Sequence, residues 1–429
     1  MKASRHMRVA VAGMAIVVGT VGACGAISTA ASAASSKIPS SAFSDHTGIT
    51  SKQVTVGNVS TLSIGGLFKG AAVGTEAYAD YVNSTGGING RKIKVDSSDD
   101  GFTGAGNKQK TQADIVNDFA MVGSFSLQDN FGGQILAKNP GVPNVSVTLD
   151  PATNKLANTY SPVPLAGGWE TGSLTYFKQL DPSGAKKVGT LVANQPSATD
   201  AWNGQKAVME KLGYKIIYDN TFAVTTTDFT SDIIQMKNKG VKMLFIEQSP
   251  SMYAVPVIKA MDAQNFHPMV VLGASTYSDD LIAKAGPPSA TNGMYLEQNM
   301  SLYLGTDKAA IPAVAQFLKW VQVASPGFQP DLFTVYGWLS AELFAQGLKN
   351  AGKNPSRGSL LTALSKITSF SGNNLAAPTN PAKKTVGNCY LIGQIENGQW
   401  VRKADPPVTS STHGYRCDGK YLVVPGAAS

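Results

Sequence analysis

Histidine and cysteine are scarce in this chain, with four and three among 429 residues. His6, His46, His267 and His413 are dispersed and lack the short intervals at which side chains converge on a metal ion. No serine-elbow pattern occurs, and "GFTGAG" at Gly101 to Gly106 has glycines at the wrong interval for a dinucleotide fingerprint. These absences weigh against the common metal-hydrolase, serine-hydrolase and nucleotide-dependent classes, so we expect no catalytic residues, no metal and no cofactor. Charged residues make up only 15% of the chain, and the formal charge is +8. Lys2, Arg5 and Arg8 lie at the start, which leaves +5 for the remainder, and its basic residues form no run. That argues against nucleic acid as a partner.

Long apolar runs are also few. "VAVAGMAIVVGTVGACGAI" (Val9 to Ile27) follows the basic start and reads as a secretory leader; no later stretch is long enough to span a bilayer. Residues 1–34 are therefore set aside as a signal peptide. Two processing readings stay open. "VGAC" ends on Cys24, whose thiol would carry a lipid and hold the protein to the outer face of the cytoplasmic membrane. "ASA" at Ala31 to Ala33 would instead release a periplasmic or extracellular protein. Residues 35–48, rich in Ser and Ala, read as a tether. In an exported protein the remaining cysteines, Cys389 and Cys417, are expected to pair.

What the chain has in quantity is alternation. "VTVGNVS", "KIKVDSS", "AMVGSFS" and "VPNVSVT" are β-branched runs separated by amphipathic stretches such as "LFKGAAVGTEAYADYVN". After the Pro- and Gly-rich "SPVPLAGG" the pattern restarts with "KKVGTLVAN", "KIIYDNTF", "VKMLFIEQS" and "MVVLGA". Strand, helix and strand in succession predict parallel sheets covered by helices. A helical block, "AVAQFLKWVQVAS" to "SLLTALSKI", precedes two last strands, "NCYLIGQI" and "QWVRKA", joined by "ENG" as a turn.

The segment "VNSTGGINGRKIKV" followed by "DDG", together with "MVGSFS", "TTDFTSDIIQMKNKGVKMLFI" and "GMYLEQ" in that order, resembles the periplasmic ligand-binding proteins of the branched-chain amino acid type. The resemblance runs from about Ile49 to Trp400. It implies an α/β protein of two lobes, each a parallel sheet flanked by helices, joined by three hinge crossings. Lobe 1 would comprise 49–165 plus about 299–380, and lobe 2 would comprise 166–298 plus about 381–429. It further implies a monomer that closes on a small molecule, by default a branched-chain or other apolar amino acid, and delivers it to the permease and ATPase of an ABC importer. An amide, urea-like or aromatic carboxylate ligand, or a receptor role, is the alternative.

Ligands of open α/β sheets sit beyond the carboxyl ends of strands. By the resemblance, "GSFSLQD" is where the family holds its ligand's carboxylate, at Ser124, Phe125 and Ser126, while Phe68 matches an aromatic wall and Thr148 a polar contact. On the second lobe the candidates are Asp200, Trp202, Gln248, Ser249, Ser275, Thr276 and Tyr277, and Tyr336 reaches in from the late helical block. The resemblance also exposes a departure. Relatives that bind amino acids place an acidic side chain where this chain has Ser275 and Thr276. Either Asp200, Glu247 or Asp279 supplies the charge from another angle, or the ligand carries no ammonium, because burying one unpaired is costly.

Overall fold

The computed structural model describes residues 38–424, apart from 64, 166, 167, 248 and 404. Cys24 and the leader lie outside these residues, as does Gln248.

Four strands, β1 (Gln53–Ser60), β2 (Lys92–Asp99), β3 (Ala120–Val122) and β4 (Asn144–Val145), form a parallel sheet in the order β2-β1-β3-β4. The last five residues of β1 are buried without alternation, as expected for a strand covered on both faces. Connections are short and capped. Gly87, at φ 76°, sends its N–H back to Val82 O after the Lys69–Ser84 helix, and a β-carbon there would lie 2.0 Å from Arg91 O. The run of glycines in this motif therefore stops a helix and turns the chain into β2.

A short strand β5 (Trp169–Glu170) leads to a second, larger sheet. Strands β6 (Val188–Ala193), β7 (Ile216–Phe222), β8 (Met243–Ile246), β9 (Met269–Leu272) and β10 (Tyr295–Gln298) are parallel neighbours in the order β7-β6-β8-β9-β10. The hairpin of β11 (Leu391–Glu396) and β12 (Gln399–Arg402) extends the β10 edge in antiparallel sense, turning at Asn397 and Gly398. Finally β13 (Tyr421–Leu422) pairs with β5.

The late helices belong with the first sheet. The Leu332–Asn350 helix packs along Lys69–Ser84 and reaches β3 and β4. The two helices touch backbone to backbone: a β-carbon on Gly74 would sit 1.9 Å from Thr334 O, and one on Gly337 would sit 2.0 Å from Ala71 O. The chain thus passes between the two layers three times, after β4, after β10 and before β11. A disulfide joins Cys389 to Cys417, with Cα atoms 4.1 Å apart. No helix among the described residues is long and apolar enough to cross a membrane.

Candidate functional site

The carboxyl ends of β1, β2 and β3 converge on one buried carboxylate. Asp100, 2% exposed, accepts from Thr61 Oγ1 at 2.8 Å and Phe102 N at 2.9 Å through Oδ1. Its Oδ2 accepts from Asn107 Nδ2 at 3.1 Å and from Ser126 Oγ. Asp99, one residue earlier, binds the same loops from outside, accepting from Leu62 N, Ser63 Oγ and Gly101 N. One acidic pair at a strand end therefore fixes three loops of the rim.

This arrangement occupies the serines that the sequence places at a carboxylate. Ser124 Oγ accepts from Val59 N at 3.0 Å, and Ser126 Oγ is committed to Asp100 while accepting from Gln128 N at 2.9 Å. Both side chains, with Phe125 and Thr148, line a cavity of about 30 Å³, enough for a water molecule and too small for a metabolite. The Thr148 hydroxyl is buried there without a hydrogen-bond partner.

Three other sequence candidates come together as an aromatic cluster. Phe68 meets Phe125 edge-on at 5.0 Å, and Phe125 lies 5.7 Å from Tyr336. Phe333, which the sequence reading missed, completes the group at 4.7 Å from Phe68 and 4.9 Å from Phe125. Its position one turn before Tyr336 on a helix was the available signal. Phe333 is also the half-buried member of the group, whereas Phe68, Phe125 and Tyr336 are buried.

The second rim is built differently. Ser275 Oγ donates to Ser249 O at 3.2 Å, and Thr276 Oγ1 donates to Gly273 O at 2.7 Å. Tyr277, 1% exposed, stacks edge-on against Tyr303 and Trp400 and accepts from Leu304 N at 2.8 Å. Thr276 and Tyr277 thus hold the corner itself together, and Ser275 remains half-buried. Ser249 is fully buried, with its hydroxyl unpartnered. Trp202 is placed away from this rim. Its indole packs with Val208, Val192 and Phe245 in the core between helix and sheet, and its N–H donates to Asp219 at 3.1 Å.

Of the three carboxylates that could meet an ammonium, Asp200 and Asp279 are exposed. Glu247 follows β8 on the side of Phe245, and Glu297 follows Tyr295 on the same helix-covered face. Burial first, and then Glu297 beside it, push Glu247 well above the ordinary glutamate range; burial likewise raises Glu297. Among the described residues no ion pair reaches either carboxyl, and two acids brought close together favour the protonated form. Glu247 Oε1 and Glu297 Oε2 make no hydrogen bond, and Gln205, fully buried, faces Glu247. The sequence reading weighed Glu247 alone; its partner lay in the quoted "GMYLEQ" without any local sign of the pairing.

The sequence matches the family described as "Periplasmic binding protein" over residues 53–399. A Leu/Ile/Val-binding protein homolog of Brucella suis is 25% identical over 294 residues, covering 66% of this chain and 73% of that protein. Among solved structures, a fatty acid ABC transporter substrate-binding protein from Thermomonospora curvata aligns with a TM-score of 0.67 at 17% identity, over 89% of this chain and 95% of that one. An ABC transporter solute-binding protein from R. palustris, in complex with 4-hydroxybenzoate, aligns with a TM-score of 0.66 at 18% identity, over 82% of this chain and 96% of that one. With two sheets linked by three crossings, and a family match over most of its length, the chain belongs to the periplasmic binding protein family.

Proposed function

We propose that the protein captures a small molecule between the rims of its two sheets and delivers it to the permease of an ABC importer. The observation that carries this reading is the architecture: two α/β layers linked by three crossings, with strand carboxyl ends available on both. The moving bodies are lobe 1, residues 49–165 with about 299–380, and lobe 2, residues 166–298 with about 381–429. Cys24 is the proposed lipid attachment, and the working form is a monomer.

The default ligand is a branched-chain or other apolar amino acid, in keeping with the names of the curated relatives. A second reading, a carboxylate with an apolar body and no ammonium, is favoured by the second rim. Ser275 and Thr276 bring no charge there, and Glu247 is buried against Glu297. The aromatic cluster around Phe68 and Phe333 suits an apolar ligand body in either case. Isothermal titration with L-leucine, L-valine, 4-hydroxybenzoate and a medium-chain fatty acid separates the two. Heat with the amino acids alone supports the default, and heat with the carboxylates alone supports the second. Silence from a wider set of small metabolites overturns the capture role.

A further inference from the structure

The segment from Trp400 to Leu422 touches each of the three crossings, which neither the capture role nor the ligand cleft requires. At the crossing after β10, Arg402 grips Asp307 with two bonds of 2.7 Å, and the same carboxylate accepts from Leu302 N at 2.7 Å. Thr306 N donates to Trp400 O beside it. That crossing is laced to the one before β11: Ser301 N donates to Leu375 O, and Ala377 N to Asn299 O. Tyr415, fully buried, adds a bond from its hydroxyl to Asn374 O.

Nearer β11 the contacts become denser. Tyr390 and Arg416 exchange both backbone bonds, at 2.8 and 2.7 Å, with the Cys389–Cys417 disulfide alongside. Tyr390 OH donates to Asp418, and the Asn388 amide donates to Gly419 O. At the crossing after β4, Thr171 N donates to Lys420 O and Lys420 N returns a bond to Thr171 Oγ1, both at 2.9 Å, just before β13 pairs with β5. Arg416 lies over the Tyr176 ring on the helix that follows. A terminal segment with bonds of this kind to three separate strands of chain limits how far they can move relative to one another.

We infer that the segment from Trp400 to Leu422, closed onto Cys389 by the disulfide, is a buckle that holds the three crossings together and sets how widely the lobes open. The inference rests on the reading of the two layers as moving lobes, and its test uses no ligand. Hydrogen exchange and small-angle scattering are compared between the purified protein and its Cys389→Ala/Cys417→Ala variant. The expected result is exchange roughly tenfold faster at 169–172 and 388–390, unchanged exchange in β8, and a larger radius of gyration. Thr171→Val, which removes the acceptor for Lys420 N, provides a milder variant; it should speed exchange at 169–172 alone. Unchanged exchange at the crossings would overturn the buckle. So would equal acceleration in β8, which marks a general stabiliser, and so would faster exchange with an unchanged scattering profile. Failure to bind any ligand would overturn the capture role and leave this result standing.

Discussion

The two rims meet the same requirement, holding loops at strand ends, by opposite means. On the first, the buried Asp100 carboxylate is saturated by four donors drawn from different loops. On the second, a pair of buried glutamates has no ion-pair partner among the described residues, and Ser249 and both carboxyls keep unpartnered oxygens. A saturated buried carboxylate fixes geometry, whereas an unsaturated one is a standing cost that a proton partly relieves. The first rim is therefore the one fixed by a saturated carboxylate, while buried carboxyls on both rims respond to pH: Asp129, pushed up to about 7 chiefly by burial, on the first, and the glutamate pair on the second.

Four measurements would break or sharpen that contrast. Asp100→Ala should have the largest effect, a loss of about 4 kcal/mol in urea unfolding, because it leaves several buried donors unmatched. Asp100→Asn should recover part of the loss, and a cost below about 1 kcal/mol for the alanine variant would mean that the rim does not depend on this group. Trp202→Ala should cost about 3 kcal/mol through lost packing and the lost bond to Asp219. A change confined to ligand affinity would instead place the indole in the cleft.

Glu247→Gln tests the pH response. The folded chain keeps a proton that the unfolded chain gives up near the usual glutamate value of 4.5. The wild type is thus most stable below that value, and this stability is lost as pH rises through the raised folded value. Glu170, pushed to about 7 chiefly by burial, adds to the same trend. The glutamine variant should have a flatter profile of unfolding free energy from pH 4.5 to 8 and gain about 1 kcal/mol at pH 8; an unchanged slope would show that the pair does not titrate. Ser275→Ala, removing one bond from a half-buried hydroxyl, should change stability by less than about 0.5 kcal/mol. A larger loss would mean that the second rim is as interlocked as the first.

Much of this architecture was legible in the sequence, because β-branched runs at regular intervals and the "GGING" reversal report local geometry. Strands β6, β7, β9 and β12 fall within the segments read as strands. The site was less legible. Ser124 and Ser126 stand at the strand end expected, yet what their hydroxyls meet is set by distant residues, Val59 N for Ser124 and the Asp100 carboxylate for Ser126. Trp202 lies on its expected helix, but the side of that helix facing the sheet was decided by packing with Val192 and Phe245. The pairing of Glu247 with Glu297 joins residues on two strands separated by β9, and no local pattern encodes such a contact.

The backbone contact between Gly74 and Thr334 has a kinetic consequence. The first sheet is nearly complete by residue 145, but one of its covering helices arrives about two hundred residues later. Until then the side of the Lys69–Ser84 helix that meets Leu332–Asn350 has no partner, and the contact that finally covers it joins very distant parts of the chain. Such closure is slow, because the entropy of a long loop is lost before any packing is gained. The first layer therefore cannot finish before nearly all of the polypeptide is present.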